Sequence, residues 1–511
     1  MNKEYLMNQP GFDNALYLKE QTEAILGRVR DSRFDKLYLE FGGKILYDFH
    51  AARVLPGFDP NVKMQLLSGM KDSVEVIMCI CAIDIERKKV RADFGITYDV
   101  DTLKTIDDFR SWGIHVGAVV ITRYAEQPGA QAFLNKLERR GVKVYTHKFT
   151  KGYPTDVDLI VSEEGYGANK YIETERPIIV VTGPGPGSGK LATCLSQLYH
   201  EHKRGINATY SKFETFPIWN LPLKHPVNEA YEAATAELKD VNMIDHFHLE
   251  AFNEKAVNYN RDIEAFPLLQ RILEKITEAP SYYKSPTDMG VNRAGFAITN
   301  DEKVRYASHQ EIIRRYFRYS CEYAMGLCDR ETVERVEVLM KDTGLKAEDR
   351  PVVLHARNAA ETARIKEKGN KGIFSGAAME LPGGEIVTGY NSPLLHATSA
   401  LVLNAAKKLA GIPQNIDLLP PFILTSLMNF KENILKGTPV SLDLEETLIA
   451  LAIGAAANPS AEAAVIKLKE LSGCEIHLTH MPTPGDAAGL RKLGLNTTSD
   501  PDFSSKALYI G

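Results

Sequence analysis

At 511 residues, 44% hydrophobic and 25% charged, the chain is too long for one hydrophobic core, which predicts two to four globular domains of ordinary composition. A net charge of -5 excludes nucleic acid as the main partner, because phosphate backbones select basic faces. Six scattered cysteines without a CxxC pair exclude a disulfide framework and a structural zinc site, and suit a reducing cytosol.

The chain starts without a signal-peptide pattern, and its longest apolar stretch, Leu448–Ala457, is about half the length that spans a bilayer, so no membrane partner is expected and the placement is cytoplasmic. Short runs rich in Val, Ile and Tyr predict strands at Lys36–Phe41, Val74–Cys81, Val116–Thr122, Val142–Thr146, Leu159–Ser162 and Pro177–Thr182. Helical patterns such as Asp101–Trp112 and Gln127–Arg140 lie between them. That alternation predicts an N-terminal Rossmann-like α/β domain with a mostly parallel sheet over residues 1–215. In such a sheet the strand C-terminal ends face the ligand crevice, where Arg53, Arg87 and Arg91 would supply anion contacts.

The last of these strands runs into Gly183, Gly185, Gly187, Ser188, Gly189 and Lys190, followed by a helical pattern from Leu191 to Lys203. Glycines allow close backbone approach, a helix start presents unpaired amides, and a lysine neutralises an anion. The turn resembles a P-loop, with Thr193 close by, and predicts a small phosphate-bearing ligand. ATP and magnesium are the cofactors that the resemblance implies. Two departures stand out: Pro184 occupies the position of the motif's first glycine, and Leu191 stands where Ser or Thr would hold magnesium.

Residues 216–345 predict a mainly helical domain, with helices at Pro226–Lys239, Asn260–Thr277 and His309–Tyr323 and one strand allowed at Gly295–Ile298. Polar loops are expected at Ser211–Pro217, Asp245–Glu250 and Ser285–Asn292; the histidines His246 and His248 are read as surface residues. If the ligand is ATP and phosphoryl transfer is the reaction, Lys190 stabilises charge, and Asp245, His248 and Asp288 are candidates for metal or base roles.

Residues 346–511 return to α/β alternation, with strands expected at Val352–His355, Ala377–Leu381, Glu385–Tyr390 and Glu475–Thr479 and a helical insertion over 400–470. A hairpin, then His396 and Thr398 at a helix head, then Pro482, Thr483 and Asp486 at another, is similar to the cytidine-deaminase fold. Position by position, His396 matches the histidine ligand, Thr398 replaces the catalytic glutamate, and Thr483 and Asp486 replace the two cysteines. Without thiolates or glutamate, zinc is not expected and hydrolytic deamination is excluded. A second pocket lined by His355, His396, His480, Thr483 and Asp486 is the feature that such a fold could retain; the alternative is that His396 and Asp486 only cap their helices. HExxH and GxSxG motifs are absent.

Lys212–Pro226, Ser285–Asn292 and His477–Asp486 together resemble an uncharacterised bacterial family of about this length, catalogued as a domain of unknown function. That resemblance implies a cytosolic, three-part architecture with a deaminase-like C-terminal portion. The function expected is binding of a nucleotide or phosphorylated metabolite, with ATP-dependent phosphoryl transfer. Two alternatives are carried: a non-catalytic, nucleotide-responsive binding or assembly protein, and a phosphosugar or nucleoside enzyme that uses no ATP. The sequence leaves turnover itself, and a homo-oligomer, open.

Overall fold

Strands that are apolar along their whole length need cover on both faces, and the first part of the chain supplies it. The structure, a computed structural model, describes residues 10–31, 33–91, 94–436 and 441–505. The chain divides into two compact units, Met1–Glu311 and Ile312–Gly511.

The first unit is a mixed α/β structure on a seven-stranded sheet. Its strands are β1 (Lys36–Phe41), β2 (Val74–Cys81), β3 (His115–Thr122), β4 (Val144–Thr146), β5 (Ile178–Thr182), β6 (Ala208–Phe213) and β7 (Gly290–Val291). They lie in the order β7-β6-β1-β5-β2-β3-β4, and every neighbouring pair is parallel. Alternation along β2 sends Val76, Met78 and Ile80 into one core and Ile77 and Cys79 into the other. The first core is closed by Ile25, Met64, Ile106, Phe109 and Phe133 from helices Asn14–Val29, Val62–Gly69, Tyr98–Ser111 and Pro128–Glu138. The opposite core is closed by Leu195, Leu198, Phe266 and Leu269 from helices Lys190–Lys203 and Asn260–Thr277.

This arrangement fixes where a ligand crevice opens. The chain leaves β1 and β2 toward the first face and leaves β5, which lies between them, toward the opposite face. Connections that diverge from neighbouring parallel strands leave a gap at their C-terminal ends, so the β5 exit sits at a topological switch point on both sides.

Four expectations change in this unit. Leu159–Ser162 is not a strand: Val157–Ile160 is a short helix, because the Asp156 side chain accepts from the Leu159 amide at 3.0 Å and caps it. Ser211–Pro217 is not all loop, since Ser211, Lys212 and Phe213 complete β6. Ala294–Ala297 is a turn of 3-10 helix where a strand was allowed. Gly290–Val291, expected inside the polar loop Ser285–Asn292, is strand β7 at the edge of the sheet, and helix Asn260–Thr277 closes the opposite core.

In the second unit, β8 (Gly376–Glu380), β9 (Ile386–Tyr390), β10 (Glu475–Leu478) and β11 (Asn496–Ser499) lie in the order β9-β8-β10-β11. Only the β10–β11 pair is parallel. The strand expected at Val352–His355 is instead the first turn of helix Pro351–Ile365. Pro351 at the first helical position starts it, and Val352, Val353, Ala356, Ala359 and Ala363 form its buried stripe. Among the described residues no helix is long and apolar enough to cross a membrane.

Candidate functional site

The glycine turn lies at the switch point. β5 is buried along its whole length and delivers Thr182 and then Gly183 to the crevice. A Cβ on Gly183 would collide with the Cys79 carbonyl oxygen of β2, so only glycine fits this close approach. Gly189 combines a φ of 91° with a Thr122 methyl 2.7 Å from the place a Cβ would take. The turn thus arches over the end of β2. Thr122 Oγ1 donates to the Ser188 carbonyl at 2.7 Å, and Ser188 Oγ donates to the Gly185 carbonyl at 2.6 Å.

The backbone is held while its donors stay open. Among the described residues, the amides of Gly187, Gly189, Lys190, Leu191 and Ala192 donate to no protein acceptor. Helix Lys190–Lys203 begins there, so its positive end faces the same mouth. Lys190 Nζ reaches back to the Gly185 carbonyl at 3.3 Å, and among the described residues no carboxylate pairs with it. Thr193 does not join them: it is fully buried, and its hydroxyl accepts from the Cys79 thiol at 3.4 Å. Burial pushes that thiol up to about 12, so Cys79 stays protonated beneath the turn.

On the first face a narrow crevice runs from Gly43, Lys44 and Leu46 after β1 to Thr182, Gly183 and Pro184 after β5, with Arg91 and Asp101 on its wall. Arg91 binds both Asp101 oxygens, at 2.9 and 3.0 Å. Of the three arginines expected here, Arg91 alone lines the crevice among the described residues: Arg53 is paired with Glu311 and Arg87 is exposed. Tyr98 closes over Gly185, and burial pushes its hydroxyl up to about 12.

On the opposite face, β1 and β6 carry a second polar group. Glu40 stands in register with Val181 of β5 on one side and Lys212 of β6 on the other. Tyr210 Oη donates to Glu40 Oε2 at 2.7 Å. Lys212 pairs with Glu214 at 2.6 Å and with Asp262 at the start of helix Asn260–Thr277. Burial, only partly offset by Lys212, pushes the Glu214 carboxyl up to about 7. For Lys212, burial alone would lower the ammonium, but Asp262, Glu214 and Glu40 outweigh it and raise it.

Two residues expected in catalysis are engaged in hydrogen bonds of the fold itself. Asp245 is fully buried, caps helix His246–Phe252 through the His248 amide at 3.0 Å, and accepts from the Thr287 amide and hydroxyl at 3.1 and 2.6 Å. Asp288 accepts from the Lys284 amide at 3.0 Å, closing its own turn. His248, expected at the surface, is buried with Nδ1 2.9 Å from the Ser285 hydroxyl, whereas His246 begins the helix exposed.

In the second unit the expected pocket is divided. His396 Nδ1 donates to Asp486 Oδ2 at 2.8 Å, Thr483 Oγ1 donates to the same oxygen at 2.9 Å, and Asp486 Oδ1 accepts from the Leu444 amide at 3.0 Å. Asp443 caps the helix that begins at Leu444. Burial alone would lower the His396 imidazole, but the Asp486 carboxylate outweighs it and raises it. The chain's own carboxylates therefore occupy these helix starts, and an added anion would meet Asp443 and Asp486. His355 and His480 do not join this group. His355 is exposed on helix Pro351–Ile365, and His480 Nδ1 is 3.0 Å from the Thr479 hydroxyl and lowered by burial. Among the described residues no group of three or more His, Cys, Asp or Glu side chains could hold a metal ion.

Two family models cover nearly all of the chain: "Domain of unknown function DUF1846, N-terminal" matches residues 10–344, and the corresponding C-terminal domain matches residues 348–509. The chain belongs to the DUF1846 family. A "UPF0371 protein" of Clostridium tetani (strain Massachusetts / E88) is 57% identical over 98% of this chain and 99% of its own length. A "UPF0371 protein" of Clostridium botulinum (strain ATCC 19397 / Type A) is 58% identical over the same shares. In this DUF1846 chain the glycine turn is visible in the sequence, whereas the Glu40–Lys212–Glu214–Asp262 group is assembled from three distant segments. Its one local signal is a charged residue at each of two positions, Glu40 and Lys212, inside otherwise strand-like runs.

Proposed function

We propose that the turn from Gly183 to Gly189, with Lys190 and the start of its helix, binds the phosphate of a small metabolite other than magnesium-ATP. The open amides of Gly187, Gly189, Lys190, Leu191 and Ala192 on a sterically locked backbone carry this reading. A preorganised set of donors binds an anion without first breaking protein hydrogen bonds, and Lys190 adds a positive charge. The switch-point position supplies a crevice for the rest of the ligand.

Magnesium-ATP fits this turn less well than a simple phosphate ester. Leu191 offers no hydroxyl, Ser188 turns its own onto Gly185, and Thr193 is bonded to Cys79, so the side chains that hold magnesium in a P-loop are missing or used. Calorimetric titration with inorganic phosphate, AMP and ATP, with and without magnesium, tests this. The proposal expects phosphate and AMP to bind without magnesium and to compete with each other. Binding confined to magnesium-ATP would restore the nucleotide triphosphate reading, and no phosphate binding at all would end both.

A further inference from the structure

The polar group on the opposite face is more than a support for the sheet. Three carboxylates, Glu40, Glu214 and Asp262, surround the single ammonium of Lys212. Two oxygens among and beside them are buried and have no hydrogen-bond partner among the described residues: Tyr259 Oη, on a residue 3% exposed, and Asp240 Oδ1, on a residue 2% exposed. Tyr259 feels the charges of Glu214, Asp240 and Asp262. Buried polar groups are normally satisfied, so unpaired oxygens at the ligand edge of a parallel sheet mark a place for something that donates or accepts hydrogen bonds.

The charge balance decides what that is. An anion would be repelled by three carboxylates, whereas hydroxyls both donate and accept and match a carboxylate, ammonium and phenol set. We propose that Glu214, Lys212, Asp262 and Tyr259 form the subsite for the hydroxyl-bearing part of the phosphate ligand, whose chemistry is that of a sugar phosphate, free or within a nucleotide. This proposal rests on the phosphate reading of the turn. The register Val181, Glu40, Lys212 sets the β5 exit two strand spacings from Lys212, and the turn's arch over β2 adds a third, so the two halves lie about 10–15 Å apart along one sheet edge. That span suits an extended sugar phosphate or a nucleotide and exceeds inorganic phosphate. The groups facing Glu214 are Lys212, Asp262, Glu40, Tyr231 and Tyr259, so hydroxyls arriving beside it change its ionisation.

The test is calorimetry on the full chain with four probes: inorganic phosphate, ribose 5-phosphate, glucose 6-phosphate and AMP. At least one of the three esters should bind about ten-fold or more tightly than inorganic phosphate, the effect of one hydrogen bond to a charged group. Glu214→Gln and the milder Tyr259→Phe, checked for folding by circular dichroism, should each reduce that advantage, while inorganic phosphate, which does not reach them, binds both variants as before. Titrations in two buffers of different ionisation enthalpy should show a different number of protons exchanged on ester binding in the wild type than in Glu214→Gln, because the ester's own phosphate contributes equally to both. Preference for ribose 5-phosphate or glucose 6-phosphate identifies the free sugar phosphate, and preference for AMP the nucleotide. Equal affinity for all four probes, or an advantage that survives both substitutions, overturns the subsite while leaving the turn intact. A wild type that binds none of the probes overturns the turn and the subsite together.

Discussion

Gly183 lies against the Cys79 carbonyl oxygen of the neighbouring strand so closely that no side chain fits between them. The turn's course is therefore set by a backbone-to-backbone contact. Replacing Gly183 by Ala forces the strand ends apart and should cost about 1–3 kcal/mol. Urea unfolding gives the stability change, and phosphate affinity should fall with it, because the amides leave their positions. An unchanged midpoint would mean that the turn relaxes freely.

Lys190 behaves in the opposite way. Its ammonium touches only the Gly185 carbonyl among the described residues, so Lys190→Ala should alter stability by less than about 0.5 kcal/mol. Phosphate affinity should drop about 10- to 100-fold, the loss of one charge-assisted hydrogen bond. Calorimetry on the folded variant measures it.

Asp245 is predicted to matter for folding alone. Asp245→Ala removes a helix cap and leaves the Thr287 amide and hydroxyl without their acceptor, which should cost about 2–4 kcal/mol. Phosphate affinity of the folded protein should not change. A selective loss of affinity would return Asp245 to the site.

The His396–Asp486 pair predicts a pH dependence in the second unit. The folded His396 imidazole is raised above its unfolded value of about 6.5, so the pair's contribution is fully present below that pH. It is lost as pH rises through the folded value. Unfolding measured across this range should show the wild type's advantage over His396→Gln shrinking as pH increases. An advantage that grows with pH would show that Asp486 holds the neutral imidazole.

Which parts were legible in the sequence follows from what each residue touches. Lys36–Phe41 and Val74–Cys81 read to the residue because helices cover both faces and each run is mostly apolar. Ser211–Phe213, the end of β6, read as part of a polar loop because Ser211 meets the Tyr283 hydroxyl and Lys212 pairs with Glu214 and Asp262, partners that sequence spacing cannot reveal. Val352 and Val353 suggested a strand by their branching, but Pro351 and the alanine stripe behind them decide for a helix. The glycine turn was visible because its chemistry is local and made of consecutive backbone. The reach of Thr193 was misjudged because a helix turns it into the core against Cys79.

Amide NMR on the isotope-labelled protein titrated with inorganic phosphate tests the central claim most directly. The resonances of Gly187, Gly189, Lys190, Leu191 and Ala192 should move together along one binding curve, and Lys190→Ala should weaken that curve without shifting its location. Phosphate that leaves those five amides unmoved, or moves only resonances elsewhere, would contradict the account.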